Sequence, residues 1–172
     1  MENKMSSLFG YIGGKQRLSG QILKYMADHE VYVEPFFGSG ALFFNKGYKE
    51  VSDSNTYREV IGDLDPNITN FFEQLRSNFQ EMQDKLDFYE YSDDLYKKSK
   101  TNSEYYKNSS DLDKACLFFF NILNSFGGDL NSGSAYSKTG ANHVSKFNNK
   151  TEKLKKYARR LKEAYIFNKS YD

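Results

Sequence analysis

A glycine-rich turn between a strand and a helix is the feature of this sequence best suited to ligand binding. Residues 34–40 read Glu-Pro-Phe-Phe-Gly-Ser-Gly, directly after an apolar run at 31–33 that is typical of a short buried strand. Glycines let the backbone approach a ligand closely, and a helix that begins at Ala41 directs free N–H groups at negative charge. The pattern predicts a cofactor-binding loop, and an ordinary tight turn is the alternative that these residues leave open.

Asp63 supports the cofactor interpretation by its position. It lies 23 residues after Gly40, at the tip of a run at 59–63 that is typical of a second strand. An acid near this spacing accepts hydrogen bonds from ribose hydroxyls in nucleotide-binding α/β units. The alternative is a turn residue or helix N-cap ahead of Pro66.

A second glycine segment precedes the first strand. Residues 9–15 read Phe-Gly-Tyr-Ile-Gly-Gly-Lys, and two glycines followed by a lysine before a helix could hold a carboxylate. Alone, this segment is equally compatible with a plain loop. Its order relative to the turn at 34–40 and to Asp63 makes the three segments informative together.

The elements that must position these residues follow from the hydrophobic pattern. Apolar residues at 18, 22, 23 and 26 predict a helix over 16–28, and Pro66 opens a helix that extends to about residue 77. With strands at 31–35 and 59–63, this order is the opening of a nucleotide-binding α/β unit.

The second half of the chain predicts mainly helices. Residues 79–113 are polar, acidic and rich in tyrosine and predict helices with loops, whereas 114–124 predict an apolar helix. Residues 125–150 are rich in Gly, Ser and Asn and predict a long loop or hairpin. A basic amphipathic helix over 151–164 precedes a third strand at 165–167; its apolar face comprises Leu154, Tyr157, Ala158, Leu161 and Tyr165.

The order of the three glycine and acid segments resembles that of a known family. Tyr-x-Gly-Gly-Lys, then Glu-Pro-Phe-Phe-Gly-Ser-Gly, then a strand-ending Asp is similar to the Dam-type adenine-N6 DNA methyltransferases. The resemblance implies an α/β, Rossmann-like fold that depends on S-adenosylmethionine, with the first half of a mostly parallel sheet and no metal. The residues implied to bind S-adenosylmethionine are Tyr11, Gly14, Lys15, Glu34, Phe37, Gly38, Gly40, Asp63 and Tyr171.

The resemblance also implies an inserted target-recognition subdomain of helices and a β-hairpin that contacts double-stranded DNA. Residues 79–150 would form it, within a cofactor-binding α/β domain made of 1–78 and 151–172. Ser125 stands where the family usually has Arg or Lys, so no base preference is predicted. The candidate DNA contacts are Asn124, Tyr136, Lys138, Lys146, Asn148, Lys155 and Arg159, and plain surface polarity is the alternative for each.

The catalytic Asp-Pro-Pro-Tyr motif of the family is absent from the sequence. The only prolines are Pro35 and Pro66, and Asp65-Pro66-Asn67 lacks both the second proline and the aromatic residue. No catalytic residue is therefore assigned. We expect a truncated enzyme, one part of a split enzyme whose second polypeptide supplies the catalytic segment, or a degenerate relative.

Three functions remain open on the sequence. The first is site-specific DNA adenine-N6 methylation, with this chain as the cofactor- and DNA-binding portion, inactive without the missing segment. The second is a non-catalytic homologue that binds DNA or S-adenosylmethionine, such as a phage or mobile-element decoy against restriction. The third is a generic nucleotide-binding domain, which the order of the three segments makes the least favoured; a dinucleotide phosphate site in particular would need a third glycine, which the loop at 34–40 lacks.

Charge and composition limit the binding partners, metal sites and cellular locations that fit the sequence. The formal net charge is +1, but residues 50–113 carry 15 acids and 7 bases, and residues 138–172 carry 10 bases and 3 acids. The basic region is compatible with a nucleic-acid face or with a solvated helix surface. A single cysteine, Cys116, and two histidines predict no metal cluster and a buried thiol. No signal or membrane-spanning pattern is present, so the expected location is the cytoplasm of a bacterial or phage-infected cell.

Overall fold

A parallel three-stranded sheet is the centre of the fold. The computed structural model describes residues 5–46, 57–125, 128–130, 133 and 143–170, with the backbone alone for 143–146. The strand order follows the chain, and the strands are β1 (Val31–Glu34), β2 (Arg58–Gly62) and β3 (Tyr165–Phe167). The strands and their direction confirm the predicted α/β class, whereas the Rossmann-like assignment stays a prediction.

Helices connect the strands and fill the long interval between β2 and β3. Before β1, two short 3-10 turns at Lys15–Arg17 and Leu23–Tyr25 flank the first helix. The α-helices of the described residues are α1 (Ser19–Ile22), α2 (Ala41–Lys46), α3 (Pro66–Ser77), α4 (Phe79–Asp87), α5 (Asp93–Lys98), α6 (Glu104–Lys107), α7 (Asp111–Asn124), α8 (His143–Thr151) and α9 (Leu154–Leu161).

The sheet buries one face, and its other face is exposed along β1. Tyr32 and Glu34 are each 5% exposed, whereas Val31 and Val33, which alternate with them, are 51% and 56% exposed. Within the described residues, β1 pairs only with β2, so its second edge has no neighbouring strand there. Parallel sheets are ordinarily covered on both faces, so Val31 and Val33 mark a surface suited to further packing.

Phenylalanine rings form much of the core beneath the sheet. The rings of Phe71 in α3 and Phe119 in α7 stack at 5.3 Å, and Phe37 in the loop after β1 meets Phe72 edge-on at 4.8 Å. All four side chains are at most 3% exposed, and each burial contributes about 1.5–3 kcal/mol. The loop after β1 therefore rests on a rigid base provided by α3 and α7.

The helix starts show why these segments fold locally. Asp65 caps α3 by accepting a hydrogen bond from the Asn67 N–H at 2.9 Å, and Pro66 occupies the first turn as predicted. Ser110 caps α7 by accepting from the Asp113 N–H at 3.1 Å, so this helix begins at residue 111 and not at 114.

A buried ion cluster joins β2 to α2 and α9. Arg160 contacts both carboxylate oxygens of Glu59, at 2.5 and 2.7 Å, and Lys46 lies 2.9 Å from Oε1. The three side chains are between 4% and 8% exposed, and the Arg160 guanidinium also lies over the Phe43 ring at 3.6 Å. Bidentate geometry and neighbouring charge make this a strong pair, which fastens α9 to the sheet.

The helix predicted over 16–28 is confirmed only in part, because helical turns cover residues 15–17 and 19–25 but do not form one continuous α-helix. The segment instead forms the two 3-10 turns and α1, and it leaves Leu18 56% and Ile22 37% exposed. Helices this short draw most of their stability from packing of an apolar face, and this face is incompletely covered, with Leu18 more than half exposed. Gly20 at the centre of the segment further disfavours a continuous helix.

The predicted loop or hairpin over 125–150 is wrong in its last part. Residues 143–150 belong to α8, and Phe147, which is 4% exposed, packs against Phe120 with ring centroids 5.4 Å apart. Burial of this ring outweighs the loop-like composition of its neighbours. Residues 126–127, 131–132 and 134–142 lie outside the described residues, so a hairpin there stays a prediction, as does the division at 79–150.

The basic helix predicted over 151–164 is shorter than expected. It spans 154–161, with Leu154, Tyr157, Ala158 and Leu161 buried as predicted. Tyr165 begins β3, as predicted, but it is 66% exposed, so its placement on the apolar face of the helix is wrong. Cys116 is buried, as predicted, and burial raises the pKa of its thiol to about 12.

Candidate functional site

The glycine loop after β1 is held to the end of β2 by backbone hydrogen bonds. The Phe37 N–H donates to the Gly62 carbonyl at 2.8 Å, and the Gly40 N–H closes a turn onto the Phe37 carbonyl at 2.8 Å. Gly40 has φ +69°, and a Cβ there would lie 2.5 Å from the Phe44 ring. Glycine is therefore required at residue 40 by both conformation and packing.

Asp63 bridges this loop to the end of β2. Its Oδ2 accepts from the Gly38 N–H at 2.8 Å, and its Oδ1 accepts from the Asp65 N–H at 3.0 Å. An ionised carboxylate has about four acceptor positions, so the two oxygens retain acceptor capacity for a ligand. Asp63 thus both fixes the loop and remains available at the carboxyl edge of the sheet.

Tyr11 covers the loop from the N-terminal segment. A Cβ at Gly38 would lie 3.2 Å from the Tyr11 ring, and the Tyr11 hydroxyl donates to Asp65 Oδ2 at 3.4 Å. Burial, followed by the charges of Asp65 and Asp63, raises the pKa of Tyr11 to about 12. The hydroxyl therefore stays protonated and acts as a donor at neutral pH.

Lys15 connects the N-terminal segment to the end of β1. Its Nζ donates to the Phe36 carbonyl at 2.5 Å and lies 3.5 Å from Glu34 Oε1. Tyr32 donates to the other oxygen, Oε2, at 2.7 Å, whereas Oε1 is buried and accepts no hydrogen bond from the described residues. Burial raises the pKa of Glu34 despite the hydrogen bond from Tyr32 and the nearby charge of Lys15.

Two residues that the sequence analysis did not assign to the site also hold it together. Asn168, just after β3, donates from Nδ2 to the carbonyls of Asp63 at 2.8 Å and Leu64 at 3.1 Å. Asp65, interpreted as a helix start, also accepts from Tyr11. An isolated Asn after a strand carries no recognisable signal, and the role of Asp65 depends on a contact across 54 residues of chain.

The three predicted cofactor segments meet at the carboxyl edge of β1 and β2. Gly14 belongs to the turn beside Tyr11, because its N–H donates to the Tyr11 carbonyl at 2.8 Å, and its Cβ position lies 3.7 Å from Ser39 Oγ. Tyr171 lies outside the described residues. The convergence is a structural finding, and the ligand assigned to these residues stays a prediction.

The predicted DNA contacts are dispersed. Asn124 is 2% exposed, and its side-chain amide donates to the Phe120 carbonyl at 2.8 Å. The side chain is therefore bonded within the last turn of α7 and is not presented at the surface. Asn148 in α8 is exposed, and the side chain of Lys146 in the same helix is not described. Tyr136 and Lys138 lie outside the described residues. The DNA assignments therefore stay predictions.

Lys155 and Arg159 are both exposed on α9. Arg160, next to Arg159, bonds Glu59 in the second position of β2, so this end of α9 lies toward the amino ends of the strands. Lys155 precedes Arg159 by about 6 Å along the helix, at 1.5 Å per residue.

Neither a membrane helix nor a metal cluster is found in the described ranges. None of the described helices is long and apolar enough to cross a membrane. Among the same residues, no group of three or more His, Cys, Asp or Glu side chains is arranged to hold a metal ion.

A family model and curated relatives match this chain. The model of the D12 class N6 adenine-specific DNA methyltransferases matches residues 11–172. The DNA N-6-adenine-methyltransferase of Escherichia phage P1 is 33% identical over 70 residues, which are 41% of this chain and 8% of that protein. The DNA adenine methylases of two Vibrio cholerae serotype O1 strains are 27% identical over 77 residues, which are 45% of this chain and 25% of those proteins.

Proposed function

The chain belongs to the D12 class of N6 adenine-specific DNA methyltransferases, and on that premise we propose that it is the cofactor- and DNA-binding portion of a DNA adenine-N6 methyltransferase. The observation that carries the proposal is the convergence of Tyr11, Gly38 and Asp63 at one edge of the sheet. The matched stretches span 8% to 25% of the curated relatives, so the activity of a whole enzyme is part of the proposal.

The residues at this edge fit the chemistry of S-adenosylmethionine. The buried Oε1 of Glu34 lies 3.5 Å from the Lys15 ammonium but accepts no hydrogen bond from the described residues, so it is suited to a hydrogen-bond donor of the ligand. The free acceptor positions of Asp63 would take hydrogen bonds from ribose hydroxyls, and Lys15 would face a carboxylate. The bound cofactor would supply the methyl group, while Tyr11 and the glycine loop would hold it in place.

Double-stranded DNA is the proposed substrate. The family membership supports it, and the exposed lysine and arginine side chains of α9 provide positive charge. Phosphate contacts of this kind contribute affinity but no sequence preference. The recognition sequence would be read elsewhere, and residues 126–142 are the segment that we propose for it.

Methyl transfer would need a segment with Asp-Pro-Pro-Tyr, a motif that these 172 residues do not contain. The uncovered face of β1, where Val31 and Val33 are more than half exposed, offers a surface on which such a segment could pack. The alternative is a non-catalytic homologue that binds DNA or S-adenosylmethionine as a decoy. Both functions require the same cofactor site at the carboxyl edge of β1 and β2.

Asp63→Ala is expected to weaken the binding of S-adenosylhomocysteine by about 10- to 150-fold, equivalent to about 1.5–3 kcal/mol for a charge-assisted hydrogen bond. The substitution removes an acceptor for the ligand and frees the Gly38 N–H from its partner. Isothermal titration calorimetry measures the effect. Asp87→Ala, an acid in α4 that bonds only to nearby Gln83 among the described residues, is the matched control and should bind like the wild type. Absence of binding by the wild type would contradict the cofactor assignment.

DNA binding is expected to be weak and to decrease strongly between low and physiological salt. Substitution of Lys155, Lys156 and Arg159 by alanine should reduce the dependence of log K on log salt by about one unit per lost phosphate contact. Fluorescence anisotropy with duplex DNA, repeated at several salt concentrations, measures the affinity and its dependence on salt. Alanine at Lys97, Lys98 and Lys107, in α5 and α6, removes the same charge from another surface and should have a smaller effect. Equal effects of the two triple variants would assign the affinity to overall charge alone.

A further inference from the structure

Gly128 touches the backbone of the segment that carries Tyr11. It has φ +74°, and a Cβ there would lie 2.5 Å from the Gly10 carbonyl oxygen and 3.5 Å from the Tyr11 nitrogen. These are backbone atoms, which cannot give way as the end of a flexible side chain can. The chain after α7 therefore meets the N-terminal segment at a point where only glycine fits.

Lys100 fixes the residues next to this contact. Its Nζ donates to the Leu130 carbonyl at 3.0 Å and to the Tyr96 hydroxyl at 2.9 Å, and it lies 4.5 Å from the centre of the Tyr96 ring. The Tyr96 hydroxyl is in turn 3.2 Å from Ser125 Oγ. Residues 125 and 130, on either side of Gly128, are thus attached to the same lysine–tyrosine pair.

A buried network anchors that pair to α7. Ser125 donates to Asn121 Oδ1 at 2.6 Å, and Asn121 donates to the Ser99 carbonyl at 2.9 Å. Asn121 and Ser99 are fully buried, and Ser125 is 5% exposed. A buried polar network in which every group is hydrogen-bonded holds a single geometry. The residues on either side of Gly128 are therefore held by contacts with α7 that do not involve the N-terminal segment.

We propose that Gly128 and Lys100 are positioning residues. They hold residues 128–130, which belong to the segment 126–142 proposed for DNA recognition, against the Tyr11–Lys15 turn, so that DNA binding and cofactor binding are coupled. The proposal rests on the proposed function, which assigns the cofactor to one side of the contact and DNA to the other. Displacement of residues 128–130 by DNA shifts the backbone at Gly10 and, with it, the ring that covers Gly38. By linkage, DNA and cofactor then change each other's affinity by the same factor.

Hydrogen–deuterium exchange of residues 8–16 tests the positioning without any ligand. The Gly14 N–H, bonded to the Tyr11 carbonyl at 2.8 Å, is the reporter. Gly128→Ala should raise exchange in this peptide, whereas Gly133→Ala, which meets no atom within 4 Å, should leave it unchanged. Lys100→Met keeps the apolar stem but removes the bonds to Leu130 and Tyr96, and it should act in the same direction if Gly128→Ala fails to fold.

Calorimetry with S-adenosylhomocysteine, with and without duplex DNA, tests the coupling. Duplex should change wild-type affinity by about 5-fold or more, and Lys100→Met should remove most of that change. Wild-type exchange at residues 8–16 in both Gly128→Ala and Lys100→Met would overturn the positioning roles. An affinity that duplex leaves unchanged would overturn the coupling. Raised exchange in a protein whose wild type binds no cofactor would retain the positioning and reject the proposed function instead.

Discussion

Replacing Glu59 with alanine is expected to lower the free energy of unfolding by about 3–5 kcal/mol, because it leaves two buried cations without their carboxylate. Arg160 and Lys46 are 6% and 8% exposed, and both contact Glu59 within 2.9 Å. The loss would be a large part of the stability of a domain of this size. Urea denaturation followed by circular dichroism measures it, with the slope of the transition as a check that the denatured state is unchanged.

Glu104→Ala is the matched control for this prediction. Glu104 pairs with Lys107 at 2.8 Å, but its side chain is 82% exposed. Water screens such surface pairs, so the substitution should change the free energy of unfolding by at most about 1 kcal/mol. Equal effects of Glu59→Ala and Glu104→Ala would show that the ion cluster of β2 contributes no more than a surface pair.

The same cluster predicts a dependence of stability on pH. Burial alone would raise the pKa of Glu59, but Arg160 and Lys46 outweigh it and hold the pKa below its usual range. A carboxyl group with a lowered folded-state pKa stabilises the fold above its unfolded pKa of about 4.3, and this contribution is lost as pH falls through the folded value. Glu59→Gln should therefore remove part of the destabilisation that acid causes.

Glu34 should behave in the opposite way. Because burial raises its folded-state pKa, its contribution to stability is complete below a pH of about 4.3 and is lost as pH rises through the folded value. Glu34→Gln should remove part of the loss of stability that occurs as pH rises, and it should have little effect on the loss of stability at acidic pH. If both variants followed the wild-type curve, neither carboxyl group would have the environment that the structure gives it.

The 172-residue chain is expected to transfer no methyl groups to DNA by itself. An exocyclic adenine amine is a poor nucleophile, and the family resemblance implies that Asp-Pro-Pro-Tyr aligns it with the methyl donor for transfer. The sequence contains no such motif. Cofactor binding alone would leave the amine unaligned, so we expect incorporation of labelled methyl groups into mixed-sequence duplex DNA to stay at background.

Asp65 is the acid most similar in context to the missing motif, and its contacts argue against a catalytic role. Its Oδ1 accepts from the N–H and the side-chain amide of Asn67, and its Oδ2 accepts from Tyr11. Most of its acceptor capacity is thus used in capping α3 and holding Tyr11. Incorporation that Asp65→Asn abolishes would contradict this assignment. Incorporation only after addition of a polypeptide with Asp-Pro-Pro-Tyr would favour the methyltransferase over the decoy.

Local sequence signals predicted the elements around the cofactor edge well. The strands, the glycine turn and the helix at Pro66 all have strong short-range determinants, such as the positive φ at Gly40 and the Asp65 cap. The convergence of Tyr11 with Gly38 followed from the family resemblance and not from any local pattern. Sequence spacing alone would not have brought residues 27 apart into contact.

The features that the sequence did not predict depend on tertiary packing. α8 is stabilised by the packing of Phe147 against Phe119 and Phe120. The polar composition of the segment does not predict this packing. Arg160 is one of the ten bases counted in the basic region, but its guanidinium is buried against Glu59 and cannot contribute to a basic surface. In each case one long-range contact outweighs the local propensity of the residues around it.

The ion cluster on β2 also bears on the order in which the chain folds. Residues 35–57 separate β1 from β2, but residues 63–164 separate β2 from β3. Closing the longer interval costs about 1 kcal/mol more in chain entropy, unless the helices between have already shortened it. Formation of α3 to α9 therefore favours the arrival of β3, and Arg160 reaches Glu59 in the same step. Before α9 docks, Lys46 and the Tyr57 hydroxyl are the partners of the Glu59 carboxylate among the described residues, so its bidentate pair with Arg160 forms only together with the long-range packing of α9 against β2.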